Sequence, residues 1–186
     1  MKKSKYFLGL ILVITLSCQV PSVDDEQKLT DLIDTYQEHQ GFDKSRYPLG
    51  LYTQAYYAQE AQFADSLRRE LTQLSTLKFD ENDQISAALL AFVLQEKIDF
   101  YSYDRYLNPI LSDAGFHSNL TYQVKPLNDF GQVKSYLNKL NAIPEFVDQH
   151  FINLRAGLEK GLSQPLVIFE GYQSTYEDHI VSSYDQ

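Results

Sequence analysis

A single cysteine, Cys18, means that no disulfide can close within this chain. The same scarcity removes the Cys pairs of structural zinc sites and redox motifs. No Gly-rich phosphate loop, dinucleotide fingerprint or G-x-S-x-G elbow occurs, so nucleotide-dependent and serine-hydrolase chemistry have no anchor. The histidines are His39, His117, His150 and His179, and no two stand one helical turn apart, the spacing a zinc-binding helix needs. Outside residues 1–5, Lys and Arg do not cluster, and the formal net charge is -9. An acidic chain of this kind is a poor nucleic-acid binder. Repeats and low-complexity tracts are absent, and alternating strand patterns nearly so.

What is present is apolar content and helical periodicity. Hydrophobic residues make up 44% of 186, enough for one domain with a real core. Lys2, Lys3 and Lys5 precede an apolar run over residues 6–16, too short for a permanent membrane span. The layout is that of a secretory signal. The run ends in Ile14-Thr15-Leu16-Ser17-Cys18, which resembles a bacterial lipobox. Ser17 and Cys18 match; Thr15 stands where a Leu is usual. A plain signal peptide cut elsewhere is the alternative. Residues 1–17 are thus expected to be a lipoprotein-type signal, Cys18 the lipidation site, residues 18–28 a tether and residues 29–186 a helical domain. Acyl chains hold a soluble domain on a membrane because each buried methylene contributes about 0.8 kcal/mol. By analogy with lipoprotein sorting, Gln19 after the cysteine points to the outer membrane, facing the periplasm.

A first helix is expected with Leu29, Leu32, Ile33 and Tyr36 on its apolar face, fading at residues 39–41. A second, over residues 53–74, carries Tyr56, Phe63, Leu67, Leu71 and Leu74 on one side. A third, opened by Asp80 or Asn82, is marked by Ile85, Ala88, Leu89, Phe92, Ile98 and Tyr101. It should stop near Asn108, because the residue before Pro109 avoids the helical region. Residues 108–127 are the least regular part, and Leu120, Tyr122 and Val124 allow one short extended piece. Asp129 and Gln132 then form a capping box. Val133, Leu137 and Leu140 make one helix ending at Asn141. Pro144 opens the next, with Val147, Phe151, Leu154, Leu158 and Leu162, and Gly161 is its C′ residue. Pro165 starts a further pattern with Val167, Ile168, Tyr172 and Tyr176. Gly157 and Gly161 have the spacing of a close helix crossing in surroundings too polar for a membrane span. The fold class is all-α: a multi-helix array with short Pro/Gly-punctuated turns and one irregular segment.

Chemistry is harder to find. Glu70, Glu96, Glu159 and Glu170 fall on solvated helix faces, and spacing singles out no acid–base pair. Tyr52, Tyr56 and Tyr57 crowd the start of the second helix; Tyr101, Tyr103 and Tyr106 lie near the end of the third. Such rings are either a stacking surface for a peptide or sugar, or helix-packing aromatics. Gly115-Phe116-His117 sits in the irregular segment, where a site or a plain turn can lie.

The order of several pieces resembles the N-terminal part of a bacterial family, domain of unknown function 885. They are Asp80-Glu-Asn-Asp83-Gln-Ile, Leu107-Asn-Pro-Ile-Leu before Gly115-Phe116-His117, Ser135-Tyr-Leu-Asn-Lys-Leu-x-x-Ile-Pro144, the run of residues 146–161 and Gln164-Pro165-Leu-Val-Ile. What the resemblance implies is a large helical protein, often a lipoprotein, similar to zinc metallopeptidases whose H-E-x-x-P-G-H type motif lies downstream. Nothing here matches that motif, so no catalytic or metal-binding residue carries over, and zinc is implied only for a full-length member. The last residues show no helix stop signal. The expectation is a membrane-anchored, non-catalytic N-terminal portion, inactive alone, forming one wall of a substrate cleft. Tyr106, Asn108, Phe116 and His117 are its candidate contacts. Its expected partners are the membrane, through Cys18, and the C-terminal part of the same protein. The alternative is a complete non-enzymatic lipoprotein that binds a peptide, glycan or protein.

Overall fold

The computed structural model describes residues 23–111, 114–116, 120 and 126–170. Cys18, His117, His179, Tyr172, Tyr176 and the proposed extended piece at Tyr122 and Val124 lie outside them. Among the described residues the chain is all-α in architecture, with helices α1 (Val23–Glu38), α2 (Gln54–Leu71), α3 (Glu81–Ser102) and α4 (Phe130–Glu159). The one sheet among them is a two-residue antiparallel pair, β1 (Ile110–Leu111) with β2 (Ala114–Gly115). None of the described helices is long and apolar enough to cross a membrane.

The helix starts follow local chemistry. Thr53 accepts from the Tyr56 amide, and Asp80 from the Asp83 amide, each satisfying a donor that the first turn leaves free. Asp129 does the same for Gln132, whose own side chain reaches back to the Asn128 amide. α4 ends in a Schellman turn: Gly161 takes φ +77°, its amide donates to Leu158, and the Leu162 amide donates to Gly157.

α1, α2 and α3 enclose an aliphatic core of Leu29, Leu32, Ala64, Leu67, Leu71, Phe79, Ala87, Leu90 and Leu94. Ala64 and Leu94 are fully buried. Small residues at facing positions let α2 and α3 lie close along their length.

Four expectations need correction. First, α3 ends at Ser102, and residues 105–107 form a separate 3-10 turn rather than a continuation to Asn108. Second, α3 buries Ala87, Leu90 and Leu94, whereas Ile85, Leu89 and Phe92 are about 60% exposed. α3 is apolar nearly all round, so its periodicity could not choose a face, and the contact with α2 chose it.

Third, α4 runs unbroken through Pro144. A proline inside a helix loses one backbone bond, at a cost of about 3 kcal/mol or more, yet its fixed φ is already helical. Just past it, Glu145 forms a bidentate ion pair with Arg46, at 2.7 and 3.2 Å, and Phe146 is buried. Fourth, Pro165 is followed by a single 3-10 turn over Leu166–Ile168.

Candidate functional site

Beyond the aliphatic core lies an aromatic layer, and α4 organises it with an unexpected face. Of the apolar positions read from the sequence, Leu137, Leu140, Phe151, Leu158 and Leu162 are exposed, whereas Val133, Val147 and Leu154 are half-buried. The buried stripe is Phe146, Gln149, His150, Asn153 and Gly157, spaced as one helical face but polar in the middle.

Two of those polar residues grip the chain before α2. The Tyr52 amide donates to Gln149 Oε1 at 2.7 Å, and the Tyr52 carbonyl accepts from Asn153 Nδ2 at 2.7 Å. Both groups of one peptide position are thereby satisfied by side chains a helical turn apart, which fixes Tyr52 against α4. Gly50 supports the approach with φ +104°, a conformation L side chains rarely adopt. The Tyr52 ring then stands edge-on to Phe146, 5.2 Å away, and tilts over His150 at 4.3 Å.

The second wall is the 3-10 turn Arg105–Leu107, introduced by Asp104 in the left-handed region at φ 55°. Tyr106 is 2% exposed and stacks on Tyr57 at 5.0 Å and on Tyr101 at 5.8 Å. The two tyrosine groups, far apart in sequence, therefore meet. Gly157 lets α4 approach this turn, because a Cβ there would sit 2.6 Å from the Leu107 carbonyl oxygen. Lys160 clasps Asp104 at 2.7 Å, and Gln164 donates to the Ile110 carbonyl at 2.8 Å.

Between the walls is a cavity of about 680 Å³. Tyr52, Tyr57, Phe100, Tyr103, Tyr106, Phe116 and Phe146 supply its ring surfaces, and His150 lies among them. Phe116 stacks on the His150 ring at 4.5 Å with 14° between planes. Of the charged lining groups, Asp104 is paired with Lys160 and Arg105 with Glu96.

His150 is the anomaly. It is 4% exposed, and neither ring nitrogen has a hydrogen-bond partner. Burial pushes its pKa down to about 4, so the imidazole is neutral at physiological pH, with one donor and one acceptor unused. Burial also raises the Tyr52 and Tyr57 hydroxyls, which stay protonated.

A second polar cluster also involves the first half of α2. Glu60, 6% exposed, accepts from Lys97 and from His39, each at 2.6 Å, and His39 stacks on Phe63. Burial raises the Glu60 carboxyl, but the bonds from Lys97 and His39 outweigh it and hold the group below the usual carboxylate range. This is a compensated charge cluster that ties the end of α1 to α2 and α3.

Of the candidate contacts, Tyr106, Asn108 and Phe116 line the same cavity, and His117 lies outside the described residues. Sequence reasoning passed over Gln149, His150 and Asn153. Their signal was a polar triplet at helical spacing between Phe146 and Gly157, eclipsed by the stronger apolar stripe on the opposite side. Glu70, Glu96, Glu159 and Glu170 are exposed as expected. Among the described residues no three His, Cys, Asp or Glu side chains form a group that could hold a metal ion. The zinc implied by the resemblance therefore does not fit these residues.

A family model described as bacterial protein of unknown function (DUF885) matches residues 35–185. No curated protein and no solved structure matches the chain.

Proposed function

The chain belongs to that bacterial family, DUF885, and on that premise we propose that it is a lipid-anchored, non-catalytic helical segment whose aromatic cavity forms one wall of a substrate cleft. Cys18 would carry the acyl chains and hold the chain on the outer membrane, facing the periplasm. In this reading the remaining wall, and any zinc-dependent peptide hydrolysis, come from further helices of a larger family member.

The observation that carries the reading is the outward face of α3 and α4. Ile85, Leu89 and Phe92 on α3, and Leu137, Leu140, Phe151, Ile152 and Leu158 on α4, are all more than 40% exposed. Large apolar side chains recurring along two helices are a surface that further structure covers. The purified chain is expected to bind no stoichiometric zinc and to cleave no peptide. Stoichiometric zinc by elemental analysis, with peptide hydrolysis abolished by a chelator, contradicts the proposal. Metabolic labelling with palmitate, lost in Cys18→Ser, tests the anchor separately.

A second reading has its own support. The described residues of this chain already line a cavity, as a complete ligand-binding lipoprotein requires. A monomeric full-length chain with one cooperative thermal transition favours it over the segment reading, which requires self-association through the exposed faces.

A further inference from the structure

The chemistry of the cavity restricts what it can hold. Among the described lining residues are seven Tyr and Phe side chains, whose ring faces and edges favour a flat apolar group in stacked or edge contact. The charged groups among the described lining residues, Asp104 and Arg105, already have partners, so neither is a bare charge that would select an ionic ligand. The His150 imidazole, also among the described lining residues, is buried to 4% with both nitrogens unpartnered. An unpaired buried polar group is costly and marks a place where a ligand atom belongs.

A neutral imidazole presents one donor and one acceptor. A carbonyl can only accept from it, and an indole N–H can only donate to it. A hydroxyl can do either, whichever tautomer His150 holds. A sugar would bring several hydroxyls, each needing a partner among walls that are mostly ring surface. One hydroxyl on one flat ring matches both features. We propose that the cavity seats an uncharged phenolic ring whose hydroxyl hydrogen-bonds to His150.

This deepens the reading of the cavity as a substrate wall and rests on it. The ring has two sources: the tyrosine side chain of a peptide, or a small free phenol. The neighbouring polar clamp suits the role. Gln149 and Asn153 flank His150 on α4 and are committed to the Tyr52 backbone. They hold the imidazole and the Tyr52 ring in place and leave His150 as the group that reads the ligand.

The test uses the full-length chain in lipid nanodiscs, with empty nanodiscs as reference, titrated calorimetrically with four probes. These are N-acetyl-tyrosinamide, N-acetyl-phenylalaninamide, p-cresol and methyl glucoside. Saturable binding of a phenolic probe is expected, with the phenylalanine analogue weaker by about tenfold or more, the effect of one hydrogen bond to a buried group. Tighter binding of N-acetyl-tyrosinamide than p-cresol identifies a peptide source; the reverse identifies a free phenol. His150→Phe keeps an aromatic ring but removes both nitrogens, and is expected to bind the tyrosine and phenylalanine probes equally. If that variant fails to fold, the comparison of the two matched probes on the unaltered chain still decides. Equal binding of both probes to the unaltered chain overturns the proposal, as does preference for the glucoside or no saturable binding of any phenol. A chain that ignores phenols yet hydrolyses no peptide sinks this inference alone. Chelator-sensitive hydrolysis sinks the earlier reading instead.

Discussion

The aliphatic core between α1, α2 and α3 and the aromatic layer against α4 are built on different terms. In the first, Leu29, Ala64 and Leu94 are buried to 1% or less among other aliphatic side chains. Its neighbouring buried acid, Glu60, is held from two sides, by the Lys97 ammonium and by a bond to His39. In the second, Gln149, His150 and Asn153 are buried beside rings and an open cavity, and His150 is left without a partner. Close packing maximises stability; a packing defect lined with a neutral hydrogen-bonding group does not. The difference separates a region that holds the fold from one that can receive something.

The largest expected effect belongs to the first region. Leu94→Ala should lower stability by about 2–5 kcal/mol, the range for removing a fully buried leucine, measured by denaturant unfolding. A loss under about 1 kcal/mol would mean that the aliphatic core is not where the fold is held.

The next effect distinguishes the layers by pH. His150 has a folded pKa near 4, below its ordinary 6.5. Above pH 6.5 both folded and unfolded states are neutral at this site. As pH falls from 6.5 to about 4, the unfolded chain takes up the proton first, so stability declines across that window. The contribution is on the order of 3 kcal/mol. His150→Phe should flatten this slope, seen in unfolding midpoints at successive pH values, whereas Leu94→Ala should leave the slope intact. Glu60, with its pKa held low, adds stability that is lost only at more acid pH, as pH falls through its folded pKa.

Gly157→Ala sharpens the contrast on a smaller scale. The added Cβ meets the Leu107 backbone, which cannot swing away. A loss of about 1–3 kcal/mol is expected from the overpacking, together with displacement of Tyr106, visible as changed ring shifts by NMR.

The smallest effect concerns the exposed faces. Leu89→Ser with Phe92→Ser should change stability by about 0.5 kcal/mol or less per site while reducing self-association in sedimentation. Unchanged association would remove the reason to place further helices on that face.

Much of the fold was readable residue by residue because caps are local. Thr53, Asp80, Asp129 and Gly161 do in the structure what their side chains and positions announce. Pro144 misled because the same φ serves a first turn and a helix interior, so the proline by itself does not mark which one it occupies. Helix faces misled for a related reason. Periodicity finds an apolar stripe but not whether this chain covers it, and α4 leaves Leu137, Leu140, Phe151 and Leu158 exposed while burying Gln149, His150 and Asn153. Tyr106, Asn108 and Phe116 share a cavity because an irregular segment returns to α4. The clamp on Tyr52 and the bare imidazole of His150 depend on partners some hundred positions apart, a separation that local pattern does not reach.

The most direct test of the account is imidazole NMR of the full-length chain with nitrogen-labelled histidine, titrated with N-acetyl-tyrosinamide and p-cresol. A saturable shift of the His150 ring nitrogens, with His39 unmoved in its bond to Glu60, is the expected result. His150 resonances that ignore both phenols contradict it.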